Sequence, residues 1–334
     1  MLTLFMHLTL LVPGLLLPLE ILENTVHDLR APALSSILGS GVRQPLPADW
    51  LADAFGLDHL PAAALRKVSP GGTAPGEWLC LDPVRWQVSH EGVTLDDPAR
   101  LELTAAEAAA LIEAVAPLFA DWGEFSTSAP GRWELQLKRP LALEILPLPT
   151  SIQQAIDPRL PGGTDGPAWR LLLAEAQTVL HAHPVNRQRE MAGKPTVNSL
   201  WPWGAGMLPQ KIKPGFEMAW SDDPVIAGLC AHAGLPCRLP PARYAPATGR
   251  VLAMLESLAV PARTFDALAW RDALQTLERD WLMPALTALK RGECRSLHVI
   301  GTRLRTTPDT VAYDIKRSDL LRFWRKPRPL TELK

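Results

Sequence analysis

Between Leu146 and Gly206 the chain gathers Asp, Arg, His, Asn and Trp among turn-forming residues. Three groups within this stretch could do chemistry. His181-Ala-His183 offers two imidazoles, which ligate zinc or manganese well. On a continuous helix, however, residues i and i+2 lie about 200° apart. Joint chelation therefore requires Pro184 to have unwound the chain, with Asp157 or Asp165 completing the set. The plainer expectation is a helix-end pair making polar contacts. Asn186, Arg187 and Arg189, with Asp157-Pro-Arg159 and Arg170, could line an anion pocket, because a guanidinium fork binds phosphate or carboxylate bidentately. The same residues would serve equally as an Asp–Arg network locking loops together. Asn198-Ser-Leu-Trp201-Pro-Trp203-Gly204-Ala-Gly206 is the third group. Its glycines allow close backbone approach to a ligand, and its two tryptophans could wall an apolar pocket. A Trp-stiffened loop packed on the core is the alternative.

Elsewhere the chemical signals are thinner. Arg322-Phe-Trp324-Arg325-Lys326-Pro-Arg328 is basic and aromatic, but one such run in a neutral chain reads as a solvated or docked tail. No Gly-x-Ser-x-Gly elbow and no P-loop is present. The 34 basic and 35 acidic residues give a net charge of -1. That balance argues against nucleic-acid binding, which needs a basic surface. Cys80, Cys230, Cys237 and Cys294 form no C-x-x-C pair, so a structural zinc site is not expected. Their scatter reads as reduced, buried thiols and a cytoplasmic location.

The elements that position these groups follow from periodicity. The apolar opening lacks an early Lys or Arg and is interrupted at Pro13-Gly14. It reads as a buried first strand, about Leu4–Val12, rather than a signal peptide or a membrane span. Ala33, Leu34, Ile37 and Leu38 carry helical spacing, ended by Gly39 and Gly41. From Ser69 onward short strands are expected at Trp78–Leu81, Val84–Val88, Val93–Leu95 and Leu101–Leu103, with His90-Glu91-Gly92 as a hairpin turn. Thr104 and Glu107 form a capping box ahead of Leu111, Val115, Leu118 and Phe119. Arg132–Lys138 alternates as a half-exposed strand, with Trp133, Leu135 and Leu137 inward and Glu134, Gln136 and Lys138 outward. Asp165 and Pro167 open a helix buried through Trp169, Leu172, Leu173, Ala176 and Leu180. Asp222 and Pro224 open another, ended by Gly234. A short strand at Leu235–Leu239, a long helix from about Asp266 to Lys290 and a core strand at Ser296–Ile300 complete the pattern. The expected architecture is an α/β core with a mostly parallel sheet flanked by helices, over 1–68 and 160–334, interrupted by a small α+β domain over 69–159.

In order, these segments resemble the archaeal-type cofactor-independent phosphoglycerate mutases of the alkaline phosphatase superfamily. Leu8–Gly14 (LTLLVPG) is similar to that family's first strand and its Asp-Gly ending. Ala31–Leu38 resembles its Thr-Pro-x-Leu helix. Glu77–Leu103 resembles its hairpin segment, with Asp97-Pro-Ala-Arg100-Leu for the usual Arg-Ala-Gly-Arg-Ile. Asp157-Pro-Arg159 is similar to Thr-Asp-Pro-His, and Asn198–Gly206 to Ala-Asn-x-Ile-Trp-Leu-Trp-Gly-x-Gly. The runs PTSIQQAIDPRLP, HAHPVNRQRE and VNSLWPWGAG resemble more closely the bacterial RpfE-type regulatory proteins, often labelled phosphoglycerate mutases.

The resemblance implies an alkaline-phosphatase-like core and, in active members, two divalent metals held by Asp and His that activate a Ser or Thr nucleophile. The departures are at those ligands. Pro13 stands where the first strand delivers an Asp. After Pro240 there is one histidine, His298, inside an expected strand, and Asp266-Ala-Leu-Ala-Trp270 carries Trp where an Asp-x-x-x-His motif would end in His. The favoured expectation is a non-catalytic protein without cofactor that binds a phosphorylated metabolite or a protein partner. Its ligand residues would be Asp157, Arg159, Arg170, Asn186, Arg187, Arg189, Asn198, Trp201 and Trp203. One alternative is a rebuilt manganese or zinc phosphotransferase site at Asp157, Asp165, His181 and His183. Another is a protein-interaction scaffold.

Overall fold

The run MHLTLLVPGLL buries almost every residue and forms the central strand of a seven-stranded sheet, as an apolar strand covered on both faces should. The computed structural model describes residues 5–47, 49–68, 72–89, 92–157, 161–303, 310–322 and 324–333. The strands in chain order are β1 (Met6–Leu16), β2 (Val42–Leu46), β3 (Glu77–Val84), β4 (Trp86–Ser89), β5 (Gly92–Leu95), β6 (Gly123–Ala129), β7 (Arg132–Leu137), β8 (Ser199–Gly206), β9 (Met218–Trp220), β10 (Cys237–Arg238), β11 (Gly249–Met254), β12 (Cys294–Arg303) and β13 (Thr310–Lys316). The chain divides into two units, Met1–His59 with Lys211–Lys334, and Leu60–Gln210.

The first unit holds the sheet β10-β9-β11-β1-β12-β13-β2. Its first five strands are parallel, and β13 and β2 run antiparallel at one edge. β1 continues past the expected Val12 through Pro13 and Gly14, where the register with β12 shifts. A proline, which has no N–H for the ladder, is tolerated at such an irregularity. Met6, Leu8, Leu10 and Val12 pack with Leu274, Leu282, Leu286 and Leu289. The expected long helix forms as Ala267–Leu277 and Met283–Arg291, joined by a π turn at Glu278–Leu282. That turn aims the Glu278 carboxylate at the N-terminus of the helix Pro32–Ser40, where it accepts from Ala33 N (2.5 Å) and Leu34 N (3.0 Å). The helix Pro224–Ala233 is capped by Asp223, not by the expected Asp222. The strand expected at Leu235–Leu239 shortens to β10, consistent with Pro236, which cannot donate to a ladder.

The second unit is built on the antiparallel sheet β6-β7-β3-β8, with the hairpin β4–β5 beside it. The hairpin's expected turn residues His90 and Glu91 lie outside the described residues. The segment expected as an insertion, 69–159, falls inside this unit, which continues to Gln210. The reason is packing: the helix Gly166–Ala182 inserts Trp169, Leu173 and Leu180 among Leu111, Val115, Phe119, Trp133 and Leu135. The Thr104–Glu107 capping box opens the helix Ala105–Val115 as expected. Leu101–Leu103 is not a strand. Asp97 caps a 3₁₀ turn at Pro98–Leu101, and Glu102 then turns left-handed at φ 46°. Among the described residues no helix is long and apolar enough to cross a membrane.

Candidate functional site

In open α/β sheets ligands bind at the carboxyl ends of the parallel strands. Here the end of β1 is filled by the protein itself. Gly14 has φ +79°, and a Cβ on it would lie 2.6 Å from the Leu258 carbonyl oxygen and 2.8 Å from the Ala262 Cβ. Only glycine admits this approach of the helix Ala259–Thr264. The buried Trp270 indole donates from Nε1 to the Gly14 carbonyl at 2.8 Å. Pro13, Gly14 and Leu15 offer no carboxylate or imidazole, the donors that divalent metals need. His298 sits on β12, where its Nδ1 pairs with Asp314 of β13. The residues at this strand end therefore do not fit the two-metal centre that the family resemblance implies.

The nominated residues are spread over the second unit. Asp157 is half-buried, and Arg159 lies outside the described residues. Arg170 donates to the Pro161 carbonyl at 2.7 Å. Asn186 is buried, with Nδ2 on the Leu180 (2.7 Å) and Val197 (2.6 Å) carbonyls and Oδ1 accepting from Val197 N at 2.9 Å. Arg189 is buried too. It bonds the Pro195 carbonyl (2.8 Å), Glu107 Oε1 (2.8 Å) and the Leu101 carbonyl. Asn186 and Arg189 thus lock loops instead of facing an anion, while Arg187 is exposed. Asn198 mimics a strand partner, accepting from Trp86 N (2.7 Å) and donating to Trp86 O (2.9 Å). Trp201 is buried and donates to the Leu146 carbonyl at 3.1 Å.

The alternative metal set is not assembled. Asp165 accepts from Ala142 N at 2.8 Å at the start of the helix Gly166–Ala182. His181 is at the far end of that helix, about 24 Å away at 1.5 Å per residue. His183 caps the next helix, its Nδ1 accepting from Val185 N at 3.3 Å. Among the described residues no three His, Cys, Asp or Glu side chains are grouped to hold a metal ion.

Two arrangements escaped the sequence reading. The first is a buried ionic layer on the second face of the β6-β7-β3-β8 sheet. Glu134, expected outward, is fully buried, as are Asp82 and Cys80. The helix Ala62–Arg66 covers them and supplies the cation. Arg66 Nη1 donates to Asp82 Oδ1 (2.9 Å) and Oδ2 (2.8 Å) and stacks over Trp203 at 4.8 Å. Trp203 Nε1 (2.8 Å) and Trp133 N (3.1 Å) also donate to Asp82. Glu134 Oε1 accepts from Ser128 Oγ at 2.7 Å and lies 4.0 Å from Arg66 Nη1. Its Oε2 has no hydrogen-bond partner among the described residues. Burial pushes the Glu134 carboxyl up to about 7, against the Ser128 hydrogen bond and the Arg66 charge. Burial also raises Asp82, though Arg66 and Trp203 oppose it. This layer is closed to solvent, with Arg66 9% exposed and the two carboxylates almost wholly buried.

The second arrangement is open. A groove of about 540 Å³ in the first unit is lined by Trp324, Arg325, Lys326, Arg328, Gly39 and Gly41 among others. The basic tail docks there: Arg328 N donates to Ser35 O (3.0 Å) and Arg325 Nη1 to Ser40 O (2.6 Å). Lys326 and Arg328 stay exposed, with Glu332 beside Arg328 at 3.2 Å. A solvated or docked tail was expected from the sequence, and the tail is docked; the groove it lines was not foreseen.

No family model matches the chain. Its sequence is similar to 2,3-bisphosphoglycerate-independent phosphoglycerate mutases. Identity is 36% over 86 residues with that of Methanosarcina barkeri, 24% of this chain and 21% of the relative. It is 42% over 57 residues with that of Methanosarcina mazei, 17% and 14% of the two chains. The similarity thus spans about a fifth or less of these relatives' length. In fold the chain is similar to a protein from Pyrococcus horikoshii, with TM-score 0.52 and 13% identity over 98% of this chain and 92% of that one. A cofactor-independent phosphoglycerate mutase from Thermoplasma acidophilum matches at TM-score 0.44 and 16% identity, over 93% and 90%.

Proposed function

We propose that this chain is a non-catalytic, phosphoglycerate-mutase-like protein of the RpfE-type regulatory kind, acting in the cytoplasm by binding a phosphorylated metabolite. The observation that carries the non-catalytic half is the closed end of β1. On the family resemblance metal ligands would be needed there, and Trp270 and the helix behind Gly14 fill that space, which supports this reading. The binding half rests on the groove of Arg325, Lys326, Arg328 and Trp324, whose cations suit a phosphate and whose ring suits an organic body. It replaces the pocket expected around Asn186 and Arg189, whose donors are already engaged.

The test is calorimetric titration of the purified chain with 3-phosphoglycerate, beside a mutase assay with added manganese. Saturable binding that weakens at least about tenfold in a Lys326→Ala/Arg328→Ala double variant supports the reading, a loss of about 1.4 kcal/mol. Turnover accompanied by stoichiometric manganese would overturn it.

A further inference from the structure

Cys230 and Cys237 were expected to be reduced, buried thiols, and the fold brings them together. Cys230 lies in the last turns of the helix Pro224–Ala233 and is buried. That helix ends at Gly234, whose left-handed backbone turns the chain back so that Leu235 N bonds the Cys230 carbonyl at 2.8 Å. Three residues later Cys237 opens β10, an edge strand of the seven-stranded sheet. Cys237 is half-buried and packs against the apolar cluster that contains Cys230, and the two thiols hydrogen-bond to each other. Cys237 Sγ also lies 3.8 Å from the Ser221 carbonyl oxygen. Pro236 and Arg238 on either side are exposed, so reagents reach the Cys237 end of the pair.

We propose that Cys230 and Cys237 form a reversible dithiol–disulfide site, oxidised by hydroperoxides, with Cys237 as the attacking sulfur and Cys230 as the resolving one. Exposure assigns the roles: Cys230 is buried, and Cys237 is the half-buried sulfur that reagents reach. The hydrogen bond from Cys230 brings the Cys237 thiol down to about 7, although burial and Asp223 oppose it. The same hydrogen bond, with burial, holds Cys230 protonated. Cys80 and Cys294 are buried and pushed up by that burial. A thiolate is the nucleophile in such chemistry, so reaction concentrates on Cys237. Its sulfur attacks the peroxide O–O bond: an S–O bond forms, the O–O bond breaks, and the departing alkoxide or hydroxide takes a proton. Cys230, losing its proton, then attacks the sulfenic sulfur. The S–S bond forms as the S–O bond breaks, and hydroxide leaves with that proton as water. Two thiols and one hydroperoxide thus give one disulfide, one alcohol or water, and one water. Two exchange steps with an external thiol restore the dithiol.

The experiment uses the whole chain and hydrogen peroxide. After one equivalent, intact-mass analysis with iodoacetamide trapping should show two of the four thiols lost, reversed by dithiothreitol. Peptide mapping should join Cys230 to Cys237. A Cys230→Ser variant should stop at a Cys237 sulfenic acid that dimedone captures. In the unmodified chain, alkylation of Cys237 should be half-maximal near pH 7 and the other thiols should react only in alkali, a readout that needs no variant to fold. Oxidation falling first on Cys80 or Cys294, four alkylatable thiols after peroxide, or Cys237 reacting only above pH 9 would each overturn the proposal.

Discussion

The two sheets close their buried faces by different means. In the first unit the end of β1 is sealed with apolar groups, an indole and backbone, and the buried carboxylate of Glu278 is satisfied by two helix N–H groups. In the second unit one face of β6-β7-β3-β8 is equally apolar, but the other buries Asp82, Glu134 and Arg66 together. A carboxylate at a helix N-terminus needs no counter-charge. A carboxylate under a sheet does, and removing its partner leaves an uncompensated charge. The first unit has no titratable side chain at Pro13, Gly14 or Leu15; in the second, Arg66 bonds the buried Asp82.

Arg66→Ala should therefore have the largest effect, a loss of about 4 kcal/mol by denaturant unfolding, because Asp82 stays buried without its partner. A loss under about 1 kcal/mol would show that the ionic layer is not what holds that face. The next effect is in pH. The raised carboxyl of Glu134 makes the native state bind more protons than the unfolded chain between its ordinary value of 4.5 and about 7. Its contribution is thus most favourable below that window and is lost as pH rises through it, by up to about 3 kcal/mol. Glu134→Gln should flatten this slope, measured as the unfolding free energy at pH 5 and pH 7.5; an unchanged slope would place the titration elsewhere. In the first unit Trp270→Phe should cost about 2 kcal/mol, since the buried Gly14 carbonyl loses its donor. Smallest is Arg187→Ala, within about 0.5 kcal/mol, as expected for an exposed side chain. If that variant instead abolished phosphoglycerate binding, the anion site would lie beside it rather than in the tail groove.

What the chain order reveals and conceals follows the same division. The capping box at Thr104 and the buried run of β1 are local, their partners three or four residues away or any apolar neighbour, and both are readable from the sequence. Trp133-Glu134-Leu135 has the alternation of a half-exposed strand, and half of that reading holds: Trp133 and Leu135 are buried as expected. Glu134 is buried as well because Arg66 and the helix carrying it arrive from far away in sequence, which no periodicity reports. Asp82 meets Arg66 across 16 residues, Trp133 across 51 and Trp203 across 121. At the candidate site the sequence left two readings open, an anion pocket and a network that locks loops, and the contacts of Asn186 and Arg189 match the second. Arg189 and Asn186 have the types an anion pocket needs, but the carbonyls of Leu101, Pro195, Leu180 and Val197 claim their donors.

Gly14 and Trp270 bear on how such a protein could change over time. Placing metal donors at this strand end would mean, for example, a carboxylate in place of Pro13 and an imidazole in place of Trp270. The surroundings constrain both Trp270 and the neighbouring Gly14. Shrinking the indole opens a hole against the Gly14 carbonyl, and any side chain at Gly14 meets the Leu258 carbonyl at 2.6 Å. Either change lowers stability on its own. The closed strand end therefore resists change: a substitution at Gly14 or Trp270 costs stability on its own, and metal donors could be built there only by several substitutions at once.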